Sequence, residues 1–383
     1  MSTSVLTAPT TTRDRAPVRL LLLTALACVG LAAWGVAAGV GVVGRPLADQ
    51  DVTWVRHLVP AGVVVGLVVG LGLLGCATAL SALTGGGQKL LAAVAAVEVL
   101  ALGVGLQSVS TIALAGYLLA MALPLGLVWL SVQVVRRYRR ARWAVLVGWA
   151  AVVTAGVTSG ALRPTHLAGL AGGLGRGFAA NGPKLVTAVV VAAAAACWVL
   201  VIVRLLRGTR ALRRTGGWVL RHRRALTLVA AAGPLPYALV RASWLTPWPL
   251  LNPAGETLGP EMRLWGLLLG GGALLGSVLT VGLIRPWGRR FPRWTPWLAG
   301  RAVPVRAATV PGGLVAGVVT ASALPMLWLT LAAEPGTVFA DVAWLDRLLA
   351  LGLFPFGVWG PALALAVWAY ARSRALEPAD ARD

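Results

Sequence analysis

The chain has 383 residues, 58% of them hydrophobic and only 12% charged, with a mean hydropathy of +0.81. A soluble domain of this length carries about a quarter of its residues as charges, so that class is excluded. The net charge of +22 would suggest nucleic acid in a soluble protein, but here the basic residues sit in short segments between apolar runs, where they read as a topology signal.

Residues 1–17 are Thr- and Pro-rich and are expected to form a disordered cytoplasmic tail. Apolar runs follow at about 18–43, 58–84, 90–108, 110–135, 143–162, 185–206, 225–244, 264–284, 307–333 and 348–371. Most of these runs reach the roughly 20 residues that cross a bilayer core of about 30 Å. Barrel strands alternate apolar and polar residues, and these runs do not, so a β-barrel is excluded. The expected fold is all-α: a polytopic bundle of about ten membrane helices over 18–371, with no soluble domain and a cytoplasmic tail at 372–383. The first run is too long for a signal-peptide core and reads as an uncleaved span.

With the N-terminus inside, cytoplasmic segments hold 26 Lys and Arg and outer segments seven. This bias predicts that both termini are cytoplasmic, in a cell-membrane protein. Tryptophans agree with the same boundaries. Trp54, Trp244, Trp248, Trp265 and Trp344 fall near the expected outer interface, and Trp143, Trp287, Trp294, Trp297 and Trp368 near the inner one. Indole prefers that zone because its ring is apolar and its N–H can meet water or a headgroup.

In the third run, "LLAAVAAVEVLALGVGLQS", Glu98 interrupts an otherwise apolar segment. A charge at the bilayer centre costs about 2.5–3.5 kcal/mol on insertion scales, so such residues usually face a bundle interior or a wet cavity. Ala95, Ala101 and Gly105 share its helical face, while Val94 and Leu102 make the small-residue stripe narrow. Two readings follow. Glu98 is either an exchangeable proton or cation site, or a structural glutamate that pins two helices.

Arg241, in "GPLPYALVRASWLTPWPLL", is the basic residue within a span. Near the outer end of its helix it can snorkel outward, or it can pair with Glu98 if the two helices are neighbours. Tyr237, one turn below, is the next candidate partner.

Pro234 and Pro236, and "FPFGVWGP" at 354–361, are expected to kink or break their helices. Broken helices mark substrate sites in many transporters, although prolines are common in membrane helices generally. Gly62, Gly66 and Gly70, and the pairs Gly266/Gly270 and Gly272/Gly276, form G-x-x-x-G patterns expected to pack closely on neighbours. The Gly-rich segment 163–184 reads as a mobile outer loop or a short re-entrant piece.

Enzyme signatures are weak. Asp49 and Asp51 lie in the first outer loop, where polyprenyl-sugar-dependent glycosyltransferases also carry acidic residues, but theirs is typically much longer. His57, His166 and His222 are scattered, and no catalytic, cofactor or metal-ligand arrangement appears. Cys28, Cys76 and Cys197 fall in apolar spans and read as small buried hydrophobes. The segment "RPWGRRFPRWTPWLAGRAVPVR" (285–306) is expected to lie along anionic lipid headgroups at the cytoplasmic face.

That segment, with "PYALVRASWLTPWP" and "GVWGPALALAVWAYARSR", resembles multi-pass membrane proteins of high-GC Gram-positive bacteria. The resemblance covers about the last 150 residues. It implies a membrane location, and it implies no catalytic residue. The leading functional expectation is a small-molecule or ion transporter. A structural or accessory membrane protein comes second, and an enzyme acting on lipid-linked substrates third.

Overall fold

The computed structural model describes residues 17–48, 53–108, 141–158, 164–246, 248–250, 258–292, 299–332 and 342–377, with isolated positions between 109 and 140. Among the described residues the chain is helical, apart from short turns and two isolated backbone bridges. The helices are α1 Val18–Gly39, α2 Ala61–Leu83, α3 Gln88–Leu100, α4 Ala141–Thr158, α5 Pro164–Leu205 and α6 Arg210–Arg221. They continue as α7 Arg223–Ala232, α8 Leu235–Ser243, α9 Pro260–Gly282, α10 Val305–Ala321, α11 Ala323–Ala332, α12 Trp344–Leu353 and α13 Phe356–Ala375.

Eight helical segments among the described residues are long and apolar enough to cross a membrane. They match the expected runs one to three and six to ten. The fifth run overlaps α4, and the fourth lies largely outside the described residues. Outward-facing residues are as apolar as buried ones: Leu26 of α1, Leu73 of α2, Leu239 of α8 and Leu314 of α10 are all more than half exposed. Helices that are apolar all round need an apolar solvent, so this is a membrane-embedded helical protein.

Two cores organise the helices. The first gathers Cys28 and Leu31 of α1, Val64 and Val68 of α2, Leu91, Ala95 and Leu102 in and just beyond α3, and Val191 and Trp198 of α5. The second gathers Ala230 of α7, Ala316 of α10, and Ala362, Leu363 and Ala366 of α13. In the first core α1 and α2 touch through glycine. A methyl group at Gly72 would sit 2.7 Å from both the Ala32 nitrogen and the Cys28 carbonyl oxygen. A cross-helix hydrogen bond also ties α1 to α5, from the Trp34 indole N–H to the Thr187 hydroxyl at 2.9 Å.

Three sequence expectations meet different outcomes here. Over its described residues, 164–184, segment 163–184 is not a loop: it is the first half of α5, a continuous 42-residue helix about 63 Å long at 1.5 Å per residue. Pro164 opens that helix, where a missing N–H costs nothing. Leu167, Leu170, Leu174 and Phe178 recur at helical spacing through its glycines. Among the described residues, Gly62, Gly66 and Gly70 of the α2 G-x-x-x-G pattern meet nothing within 4 Å, while Gly72 and Gly75 pack. Proline does break helices as expected. α7 stops before Pro234, and Phe354 and Pro355 separate α12 from α13. A further break at Ser322 divides α10 from α11.

The loop after α9 is pinned rather than splayed over its described length. Arg290 pairs with Ala302 in a backbone bridge, and the Phe291 N–H donates to the Arg301 carbonyl at 2.9 Å. From α13 the Tyr370 hydroxyl donates to the Gly288 carbonyl at 2.7 Å, while Arg374 reaches the carbonyls of Arg289 and Val303, each at 3.3 Å. Glu377 completes this clasp with ion pairs to Arg289 at 3.1 Å and Arg374 at 3.4 Å.

Candidate functional site

Helix α3 buries one face. Leu91, Val94, Ala95 and Glu98 lie on it, and Leu102 continues it one turn on. Spacings of three, four and seven residues put these side chains above one another. That face meets α2 and α5. Glu98 is thereby carried into the interior of the first core, where it is 0% exposed.

The carboxylate lies opposite a glycine. A methyl placed on Gly75 of α2 would stand 2.7 Å from the Cys28 sulfur, 3.1 Å from Glu98 Oε1 and 3.3 Å from the Trp198 ring. Gly75 of α2, Cys28 of α1, Glu98 of α3 and Trp198 of α5 therefore converge at one point, each from a different helix of the first core. Trp198 approaches the Cys28 sulfur, although its N–H falls short of a hydrogen bond.

Among the described residues, neither Glu98 oxygen has a hydrogen-bond partner, and neither does the Trp198 indole nitrogen. Nearby hydroxyls are spent on their own helices: Thr24 donates to the Leu20 carbonyl and Thr78 to the Leu74 carbonyl, each at 2.8 Å. A buried carboxylate without a donor is costly in its charged form, which favours a proton on the group or a cation beside it. Acid–base or ion exchange is the chemistry this arrangement can perform.

One turn past Glu98 the backbone widens into a π-turn over Ala101–Gly105. The Leu106 N–H reaches back five residues to the Ala101 carbonyl at 2.7 Å, and the Gln107 side-chain amide caps the Leu102 carbonyl at 2.5 Å. Such widened turns are frequent at functional sites in helices. Beyond the π-turn, Gln107 and Ser108 are buried, as is Thr53, and among the described residues the Gln107 carbonyl oxygen and the Ser108 and Thr53 hydroxyls have no hydrogen-bond partner.

Arg241 and Tyr237 are elsewhere. They lie on α8, which packs on α9, whereas α3 packs on α2 and α5. The Arg241 guanidinium rests 3.9 Å from the Trp244 ring centre and 5.1 Å from that of Tyr237. Gly270 of α9 lets it in, since a methyl there would be 2.7 Å from the Arg241 Cβ. Tyr237 in turn stacks at 5.2 Å on Phe354. The structure thus gives Arg241 an aromatic cage in place of Glu98. Sequence reasoning named the glutamate but did not connect it with Cys28, Gly75 and Trp198, which three other helices supply.

Asp49 and Asp51 lie outside the described residues. Among the described residues, no group of three or more His, Cys, Asp or Glu is arranged to hold a metal ion. No protein-family model matches the chain, and neither a curated protein nor a solved structure matches it.

Proposed function

We propose that this protein is a transporter-like bundle of the cell membrane, with both termini cytoplasmic, in which Glu98 takes up and releases a proton or a small cation. One observation carries the reading: a fully buried carboxylate in the middle of a membrane-crossing segment, neither of whose oxygens has a hydrogen-bond partner among the described residues. Intramembrane carboxylates that face a bundle interior commonly serve as ion or proton sites. The π-turn next to Glu98 adds support, because it marks a place where the helix is already locally rearranged.

The test uses purified protein in sealed vesicles with a pH-reporting dye trapped inside and an imposed membrane potential. Vesicles with the wild-type chain should change internal pH faster than empty ones. Glu98→Gln, which keeps the shape and cannot exchange a proton, should return the rate to that of empty vesicles. Arg241→Gln, on α8 against Trp244 and Tyr237, should leave it unchanged.

A second reading has its own observation. Gly75, Cys28 and Trp198 close tightly around Glu98, as they would around a structural glutamate of an accessory protein. In that case Glu98→Gln folds normally and changes no flux.

A further inference from the structure

Three of the membrane-crossing segments are each built from two helices. Segment Arg223–Ser243 is α7 and α8, Val305–Ala332 is α10 and α11, and Trp344–Ala375 is α12 and α13. Successive spans cross in opposite directions, so Ser243, Ala332 and Trp344 lie at one membrane face. The breaks at Gly233, Ser322 and Phe354–Pro355 each fall about ten residues from that face. That is about 15 Å at 1.5 Å per residue, half of a core of about 30 Å. Contacts place the breaks at one level. A methyl on Gly233 would stand 2.6 Å from the Trp359 Cβ, and one on Gly360 would stand 2.6 Å from the Thr320 nitrogen.

The two sides of that level are packed differently. Away from the face, α13 packs on α7 and α10, and Ala230, Ala316, Ala362, Leu363 and Ala366 form the second core. Toward the face, among the described residues, no side chain of α11 or α12 belongs to either core. Helix α12 has no buried residue, and its Leu345 and Leu349 are more than half exposed. Helix α11 buries Pro325, beside the break, and Thr330. The third half-helix, α8, is seated on α9. A methyl on Gly270 would stand 2.7 Å from the Arg241 Cβ, and one on Gly266 would stand 3.1 Å from the Trp244 ring.

Helices α11 and α12 are consecutive in the chain and pack on each other. Proline loosens both of their roots. Pro325 and Pro355 have no N–H to give to the Ala321 and Leu351 carbonyls. At the second break the chain leaves helical geometry, with φ −119° and ψ 68° at Phe354. Ring contacts join the pair to its surroundings. Phe354 meets Tyr237 of α8 at 5.2 Å, and Trp328 of α11 meets His57, in the turn Trp54–His57 before α2, at 6.3 Å. We propose that α11 and α12 swing as one lid, hinged at Ser322–Pro325 and Phe354–Pro355, and open the level of the breaks to that membrane face. Hinges of a few residues at element ends are the usual device for such closure. The movement is independent of the chemistry at Glu98, and its test needs no flux.

The experiment is hydrogen–deuterium exchange of the purified full-length protein in detergent, read by peptide mass spectrometry. Exchange requires water at the amide, so it reports opening. Helix α8 is the internal control, since it matches α11 and α12 in depth and nearly in length but is seated on α9. Peptides of α11 and α12 should show a common protection factor, about tenfold or more below that of α8. Pro355→Ala returns an N–H to the Leu351 carbonyl. It should raise the protection of α11 and α12 together, several-fold, although it alters one hinge only. The wild-type comparison decides alone if Pro355→Ala does not fold. Protection of α11 and α12 equal to that of α8, unequal protection of the two, or a Pro355→Ala effect on α12 alone or on neither would each overturn the proposal.

Discussion

Gly75 and Glu98 face each other across the contact between α2 and α3, so closely that a methyl on Gly75 would stand 3.1 Å from the carboxylate oxygen. The same methyl would press on the Cys28 sulfur at 2.7 Å. Gly75→Ala should therefore destabilise the first core by about 1–3 kcal/mol, the usual cost of overpacking. Gly70→Ala, with nothing within 4 Å, should be neutral or slightly stabilising. Thermal unfolding of both variants in detergent checks the contrast.

Arg241 sits on α8 against Trp244 and Tyr237, while Glu98 is buried in the first core, so their effects should add. Arg241→Gln removes cation–π contacts to Trp244 and Tyr237, worth about 0.5–2 kcal/mol each. Combined with Glu98→Gln, the measured destabilisations should sum to within about 0.5 kcal/mol. A coupling energy well above that would mean the two side chains meet.

Much of this architecture was legible in the sequence, because a run of about 20 apolar residues has few alternatives to a membrane helix. Glu98 was legible for the same reason, as a carboxylate in a place where carboxylates are expensive. Its surroundings were not, since Cys28, Gly75 and Trp198 come from three other helices and adjacency is a tertiary property. Segment 163–184 was misread because its glycines outweighed the Leu167, Leu170, Leu174 and Phe178 spacing.

The clasp at the end of α13 depends on Arg374, which is 5% exposed and bonded to two carbonyls and the Glu377 carboxylate. Arg374→Gln removes one partner from each of these acceptors, while Glu377 keeps Arg289 and the Arg289 carbonyl keeps the Val303 N–H, and should cost about 1–3 kcal/mol. Faster trypsin cleavage within 285–306 should accompany the loss. An unchanged cleavage rate would mean that the loop holds its shape without the clasp.

The charge bias of 26 against seven predicts the threading. After removal of Cys28, Cys76 and Cys197, a cysteine placed at His166 should react with an impermeant thiol reagent in intact cells. One placed at His222 should not. The reverse pattern would invert the bundle.

The central claim is that the Glu98 carboxyl exchanges protons with one side of the membrane, and a lipid-soluble carbodiimide tests it most directly. Such reagents attack protonated carboxyl groups, and peptide mass spectrometry locates the adduct. The account predicts an adduct on Glu98 whose rate of formation falls as the buffer on one side of sealed vesicles is made more alkaline, and no such adduct in Glu98→Gln. An adduct rate at Glu98 that ignores the pH on both sides would contradict it, leaving Glu98 as a sealed structural residue.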